Sequence, residues 1–400
     1  MREPFMPRRV LLVTFFYPPD LCAGSFRAGA LVEALLARGG SALEVDVLTT
    51  QPNRYHSFSR QAETEEHMDG VRVRRIAIPG HRSGFFDQAR AFVHFARRAL
   101  QLSRDERYDL VIGTSSRLMT AVLAAWLARR RAAPLYLDLR DIFVENMREL
   151  LTAWYWKPLL GAFDRLERWA VARAARVNLV SAGFLPYFQA RYPGREFACF
   201  PNGVDSLFAS PVAGLDDGGA PCEPLQVVYA GNIGEGQGMH LILPELARQL
   251  RGRATFRIFG DGGRIEQLKR TLAGVDNVEL LSPVSREQLV EAYRQADVLF
   301  LHLNDLQAFR RVLPSKLFEY AATGKPLWAG VAGFAADFIR REVPNAAVFA
   351  PCDVAGAVQV LDSLRLGFTS REDFVSRYNR ERIMRGMADD ILQVLERSCH

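Results

Sequence analysis

The chain has 400 residues, a formal net charge of +6 and five cysteines. That length exceeds what one hydrophobic core usually serves, so two domains are expected. No apolar run reaches the roughly 18 residues of a membrane-spanning helix, and the cysteines, at 22, 199, 222, 352 and 399, form no CxxC pair and no His/Cys metal spacing.

The charge is uneven. Residues 1–200 carry a net +9 and residues 201–400 a net −3. Such a basic half attracts anionic membrane or nucleic acid. The plain alternative is an arginine-rich composition, since only four of the 51 basic residues are lysine. MREPFMPRRV runs into LLVTFF without a leader-like apolar segment and cleavage pattern, which predicts a cytoplasmic protein.

Val10–Phe16 reads as a buried strand that Pro18 and Pro19 break. Gly24, in the next loop, permits a close backbone approach, and Arg27 there would meet a phosphate or simply decorate the surface. The spacing predicts a helix over Phe26–Arg38, stopped by Gly39-Gly40, and LEVDVLTT (43–50) alternates as a second strand. This β-α-β unit implies a parallel sheet, but the GxGxxG of dinucleotide-binding folds is missing. Further strands are predicted at Val71–Ile78, Leu110–Gly113, Leu135–Leu139 and Val177–Val180, with helices around 85–104, 116–131 and 158–175. The alternation predicts a doubly wound α/β domain.

Two helices mix arginine with aromatic residues. In 85–104, Phe92, Phe95, Ala99 and Leu102 fall at helical spacing among Arg90, Arg97, Arg98 and Arg104, and packing on the sheet is the favoured reading. The stretch 150–177 opens with Trp154, Tyr155, Trp156 and Lys157, and Pro158 suits a first helical position. Rings beside a cation are what an interfacial helix presents to anionic lipid, and packing of the apolar face on the sheet is the equal alternative.

Residues 201–224, rich in Pro, Gly and Asp, read as a linker. It separates a first domain, 1–200, from a second at 225–369. There strands at 225–231, 254–260, 278–284 and 297–303 alternate with helices near 238–251, 263–272 and 286–295. RVLPSKLFEYAATGKPLWAG (311–330) then predicts a helix capped by Ser315 and ended by Gly324, followed by the strand PLWAGV and then AAVFAP. The tail, 370–400, reads as one or two helices. Ligands of such sheets bind beyond the carboxyl ends of the strands, so two of these domains facing a cleft suit transfer between two bound substrates.

Three loops of the second domain are compatible with an anion. Gly231-Asn232-Ile233-Gly234 and Gly260-Asp261-Gly262-Gly263 follow strands, and glycines there let amides approach a phosphate; a plain strand-to-helix turn in the first, and a tight turn with Asp261 as a helix cap in the second, are the alternatives. The third is the start of the 315–322 helix, where Arg310, Arg311 and Lys316 gather three cations at an end that normally prefers acids. Such charges would stabilise a diphosphate leaving group. Glu319, an acceptor when ionised, suits the two hydroxyls of a ribose; a solvated partner for Lys316 or Lys325 is the plain alternative. In the first domain Asp138, Arg140, Asp141 and Glu145 follow a buried strand, as orienting groups, a base, or a local ion-pair network. There is no GxSxG, HExxH, Walker A or DxD sequence and the seven histidines are dispersed, so no metal is expected.

FFYPPDLCAGSFRA, LDLRDIF, NLVSAGF…FPNGVD, VVYAGNIGEGQGM, FRIFGDGGRIEQL, NVELLSPVSREQLVEAYRQADVLFLHL and LPSKLFEYAATGKPLWAG together resemble retaining glycosyltransferases of the two-domain GT-B type, family four. The resemblance covers nearly the whole chain. The last stretch is similar to the branch of L-fucosamine transferases in bacterial surface-polysaccharide synthesis.

The resemblance implies a GT-B fold, two Rossmann-like domains, and an NDP-sugar, with UDP the expected nucleotide. It makes Gly231, Asn232 and Gly234 the loop facing the diphosphate, Pro283-Val284 the segment near the base, and Glu319 the ribose ligand. It leaves acceptor binding to the first domain, with Gly24, Arg27 and Asp141 as candidates and Asp141, Lys316 and Glu319 as the catalytic set. Arg311 stands where the first glutamate of the common pair would be, and Asn232 and Gln237 mark where donor-loop cations usually sit. Arg310, Arg311 and Lys316, with Ser315, are expected to take over the diphosphate. Arg140 replaces the histidine that many relatives carry before Asp141. The implied acceptor is a glycan or polyprenyl-diphosphate-linked sugar at the inner face of the plasma membrane, with an anionic membrane as partner, no nucleic acid and no cofactor besides the NDP-sugar. The tail helix is expected to cross back to the first domain. An NDP-sugar epimerase, which converts donor without acceptor, and a silent nucleotide-sugar- or glycan-binding subunit are the alternatives.

Overall fold

The structure is a computed structural model that describes residues 6–53, 62–79, 85–115, 117–209 and 224–397. Most of the predicted linker, 210–223, lies outside the described residues. The chain divides into two units. One holds the described residues up to Asn202 and those from Glu381 onward, the other Gly203–Arg380.

In the first unit the order is β1 (Arg8–Val13), α1 (Ala23–Gly39), β2 (Leu43–Thr50), β3 (Glu65–Met68), β4 (Val71–Ile76), α2 (Phe85–Leu102), β5 (Leu110–Ser115), α3 (Leu118–Arg131) and β6 (Leu135–Leu139). There follow α4 (Phe143–Leu150), α5 (Lys157–Arg173), β7 (Arg176–Leu179) and α6 (Leu185–Arg191). The sheet order is β3-β4-β2-β1-β5-β6-β7, parallel except for β3. β1, β5 and β6 are buried along most or all of their length, which is why they read as mainly apolar runs. β3, EEHM, is an exposed charged edge strand, a composition that discourages edge-to-edge pairing and also hides the strand from its pattern. On α2, Phe92, Phe95 and Ala99 turn inward, with Phe92 stacked on Phe15 at 6.4 Å and Phe95 edge-on to it at 5.5 Å.

The second unit runs α7 (Ser206–Ala209), β8 (Leu225–Ala230), α8 (Met239–Gln249), β9 (Ala254–Phe259), α9 (Ile265–Thr271), β10 (Val278–Leu281), α10 (Arg286–Gln295), β11 (Val298–His302) and α11 (Ser315–Ala322). It continues through β12 (Leu327–Gly330), α12 (Phe334–Glu342), β13 (Ala346–Phe349), α13 (Val354–Leu361) and α14 (Glu372–Arg377). Its sheet is wholly parallel, in the order β10-β9-β8-β11-β12-β13.

The last helix, α15 (Arg380–Arg397), belongs to the first unit from Glu381 on. Its Met384, Met387, Ala388, Ile391, Val394 and Leu395 join Val10, Leu12, Leu31, Leu35 and Val45 in one apolar core. Tyr136 donates to Asp390 at 2.9 Å, and Arg176 and Arg38 pair with Asp390 and Asp389 at 3.1 and 2.5 Å. The amphipathic face of α15 therefore completes the core of the unit in which the chain began.

Candidate functional site

In the second sheet the strand order reverses between β8 and β11, where connections leave for opposite edges and open a crevice for a ligand. The loop after β8 begins at Gly231, whose φ of 148° lies where side chains are strained. A Cβ there would coincide with the ammonium group of Lys316, so the bare glycine makes room for that side chain. Lys316 also sits 4.4 Å over the Tyr229 ring, with Nζ 3.3 Å from the Tyr229 hydroxyl, and that hydroxyl donates to Asn232 O at 2.6 Å. Asn232 Nδ2 donates to Gln237 Oε1 at 2.8 Å.

Two expectations change here. The amides of Gly231 and Ile233 do not point at a ligand: they donate to Phe259 O at 2.7 Å and Asp261 O at 2.9 Å, continuing the β8–β9 ladder into the loops. Gly260 is small because a Cβ would run into the Gly231 carbonyl. Close packing of the two loops accounts for the glycines at 231 and 260. Ser315 is also not the helix cap. It is the first residue of α11, Pro314 occupies the cap position, and no side chain caps the helix. The Leu317 amide turns back to Pro314 O at 3.1 Å, and the helix start, with no side-chain cap, carries Lys316 in its first turn.

Glu319 lies one turn further along α11, partly buried, and accepts no hydrogen bond among the described residues. Desolvation raises its pKa, Arg380, Arg286 and Lys316 draw it back down, and Asp205 pushes it up. Asp205 is itself paired with Arg380 at 2.5 Å and with Arg286 at 2.6 Å. Arg310 is turned to the surface and meets Asp305 at 3.4 Å, so the structure does not bring it to the Gly231 loop; Arg311 closes the short 307–311 turn. Pro283 and Val284 stand beyond the carboxyl end of β10, with Val284 packed on the core and Ser285 capping α10.

A residue not singled out from the sequence holds this loop in place. His302 ends β11, buried, with Nδ1 2.7 Å from Gln237 O and Nε2 accepting from the Cys352 amide at 2.9 Å. Only the neutral ring protonated on Nδ1 makes both bonds. Burial lowers its pKa to about 4. A histidine depressed in the folded state stabilises fully above its unfolded pKa of about 6.5 and loses that contribution as pH falls toward 4, about 3 kcal/mol at most. We expect His302→Gln to be less stable near pH 7 but to lose less stability between pH 6.5 and 4 than the wild type. Parallel melting-temperature profiles of the two proteins over that range would refute the assignment.

In the first unit the strand order reverses between β1 and β5. Arg27, expected on the acceptor side, is instead a buried tie. It donates to both oxygens of Asp138, at 2.9 and 3.0 Å, and to the carbonyls of Phe200 and Pro201, at 2.8 and 2.7 Å. Asp138 also accepts from Asn178 at 2.6 Å and Thr114 at 3.1 Å, so the ion-pair reading of that carboxylate is the one the geometry supports. Gly24 is approached by Arg140, whose Nη1 a Cβ would strike. Asp141, after β6, lines a cavity of about 20 Å³ with Ser115, Arg117 and Glu167. Desolvation raises its pKa to about 6, against the opposing charge of Arg140, which suits a group exchanging a proton near neutrality. A wider groove of about 640 Å³ at Arg176, Arg195, Glu196 and Asp390 is a poorer candidate, because Arg176 is paired and Arg195 is held by the Ala174 and Ala172 carbonyls. Among the described residues no group of three or more His, Cys, Asp or Glu gathers around a common point.

The glycosyl transferase 4-like domain model matches residues 24–203, and the glycosyl transferases group 1 model matches residues 216–380. No curated protein matches the chain. Among solved structures, α,α-trehalose 6-phosphate synthase from Burkholderia multivorans aligns over 98% of both chains, with 14% identity and a TM-score of 0.68. WaaG, a glycosyltransferase involved in lipopolysaccharide biosynthesis, aligns over 97% of this chain and 98% of its own, with 16% identity and a TM-score of 0.61. Anabaena Alr3699/HepE in complex with UDP-glucose aligns over 98% of both chains, with 14% identity and a TM-score of 0.60.

Proposed function

As a chain in which a glycosyl transferase 4-like domain precedes a group 1 domain, the protein belongs to the GT-B glycosyltransferases, and on that premise we propose that it transfers a sugar, with retention of anomeric configuration, from an NDP-sugar to a lipid-linked or cell-surface glycan. One observation carries the donor half of this reading: at the strand-order reversal of the second unit, the Lys316 ammonium lies on Gly231 beside the uncapped start of α11, with Glu319 one turn on. In this reading Lys316, the Ser315 hydroxyl and the positive end of the helix dipole hold the diphosphate, with the loop of Gly231, Asn232 and Gly234 beside it. Glu319 takes the ribose, and Pro283-Val284 lie against the base. Arg311 completes the charge, and Arg310 is the weakest member of the set because it pairs with Asp305. UDP is the nucleotide to try first, as in the HepE complex.

The acceptor hydroxyl attacks the anomeric carbon from the face the diphosphate leaves. The carbon–oxygen bond to phosphate breaks with its electrons staying on the diphosphate, and the hydroxyl proton passes to that oxygen. Lys316 stabilises the charge that develops, so we expect transfer to proceed without added divalent metal. In this reading Asp141 orients the acceptor. UDP should raise the melting temperature of the full chain, by mass action, and Lys316→Ala and Glu319→Gln should each lose most of that rise. An unchanged rise in both variants would refute the donor site.

The acceptor class and a place at the cytoplasmic face of a membrane rest on the surface of the first unit. Trp154 and Tyr155 form an exposed turn, 78% and 60% accessible, just before exposed Lys157 and Pro158, the second residue of α5. Trp126 is exposed under Arg130 on α3. Rings flanked by cations suit the headgroup region of anionic lipid, and that basic surplus is confined to the first half of the chain. Among the described residues no helix is long and apolar enough to cross a membrane. Sedimentation with phosphatidylglycerol vesicles at low salt should capture the wild type and release Trp154→Ala/Tyr155→Ala; equal recovery of both with the vesicles would refute this surface.

A further inference from the structure

A strand partner is missing where the order of the second sheet reverses, and a side chain of α11 takes its place. β8 pairs with β11 at Val227–Val298 and Val228–Leu299. Further along, Phe300, Leu301 and His302 of β11 pair with β12, on the other side. Among the described residues Tyr229 and Ala230 of β8 pair with β9 alone. The two strands part there, which opens the crevice. Parting deprives the backbone groups that buried Ala230 turns toward β11 of a ladder partner. Tyr320 answers both of them. Its hydroxyl accepts from the Ala230 amide at 2.9 Å and donates to the Ala230 carbonyl at 3.4 Å.

The phenol is firmly held. Tyr320 is fully buried, and its ring stands edge-on to the buried ring of Tyr293 on α10, with centroids 5.2 Å apart. Its carbonyl accepts from Thr323 Oγ1 at 2.7 Å. The next carbonyl, that of Ala321, accepts from Arg371 at 3.1 Å, and Arg371 is tied in turn to the Pro344 and Asn345 carbonyls. The helix is therefore fixed both to the end of β8 and at its own carboxyl end. Tyr320 comes four residues after Lys316, so the two side chains share one face of α11. One meets Ala230, and the other meets the following residue, Gly231, in the space a Cβ would fill. Burial in the core accounts for the ring of Tyr320 but not for its hydroxyl, which is aimed at the strand end that carries the Gly231 loop.

We propose that Tyr320 is a positioning residue of the donor site. By bonding Ala230 in place of β11, it sets the rotation and the axial position of α11, and so seats the Lys316 ammonium on Gly231. The proposal rests on the donor-site reading for what Lys316 binds, and it adds a residue that acts only through Lys316.

The test is a double-mutant cycle read by calorimetric titration of the full chain with UDP. Tyr320→Phe removes one oxygen and keeps the ring, so the chain should stay folded and melt about 2–4 °C lower. Its Ala230 amide, now without a partner, should exchange its hydrogen about tenfold faster than in the wild type, and an unchanged rate overturns the assigned bond. Tyr320→Phe should weaken UDP binding about tenfold with Lys316 in place, but less than about twofold in a Lys316→Ala background, because Lys316 is the group it positions. Equal losses in the two backgrounds would mean a general loosening of the unit and overturn the proposal. Unchanged UDP affinity in Tyr320→Phe beside a clear loss in Lys316→Ala would overturn it too, while leaving the donor site standing. A Lys316→Ala chain that binds UDP like the wild type would remove the donor reading itself, and this proposal with it.

Discussion

Replacing Lys316 by alanine is expected to lower kcat by a factor of about 10² to 10³ while leaving the fold intact, the range seen when one preorganised charge donor is removed from a transition state. The expectation comes from where the side chain is held. Its stem crosses the Tyr229 ring, and its ammonium occupies the space that the missing Cβ of Gly231 leaves open. The charge is therefore fixed before any ligand arrives, and it acts most strongly when a leaving diphosphate gains charge. Lys316→Arg should not rescue, because a planar guanidinium does not fit the slot of a compact ammonium. Glu319→Gln should behave differently. Hydrogen bonds to a ribose are made equally in the bound and the transition state, so their loss should raise KM for the donor by about ten- to a hundredfold, with kcat changed far less. Steady-state kinetics with donor and acceptor varied separately would read the split. Near-normal turnover in both variants would remove the donor site from α11.

The fold was legible wherever burial on both faces wrote itself into composition. β2, β6 and α10 fall at Leu43–Thr50, Leu135–Leu139 and Arg286–Gln295, the ranges their patterns predict, and the sheets have the expected doubly wound order. Elements whose patterns are weak were missed: β3 is charged and at an edge, and α4, α12 and α13 have only eight or nine residues each. The site was legible in part. Residue type and position along α11 suffice to suggest Lys316 and Glu319, because both sit in one short helix. The glycine loops were ambiguous in the sequence, since a glycine needed for loop-against-loop packing and a glycine that admits a phosphate are the same letter. Arg27 misled for another reason: whether it is a free cation depends on Asp138, 111 residues away, and on carbonyls near residue 200. His302 was passed over because a lone histidine ending an apolar strand gives no local sign of the two backbone groups it joins.

The Arg27–Asp138 pair supports the second large expectation, and its outcome separates a structural role from a chemical one. Asp138→Ala should destabilise the first unit by about 3–5 kcal/mol, because it leaves the Arg27 charge buried without its partner and frees the Asn178 amide as well. For a unit of roughly 200 residues this corresponds to a fall in melting temperature of about 10 °C, read by calorimetry as the loss of one unit's transition. Were Asp138 orienting a substrate hydroxyl, the same substitution would instead abolish turnover at an unchanged melting temperature. The decisive variant removes both charges. Arg27→Met/Asp138→Leu should recover much of the stability that either single change loses, since burying two apolar groups avoids the desolvation that a broken pair exposes. Strictly additive losses in this double-mutant cycle would mean that Arg27 serves the Phe200 and Pro201 carbonyls independently of Asp138, and that the segment entering the second unit, not the β6 carboxylate, is what the buried arginine is there to hold.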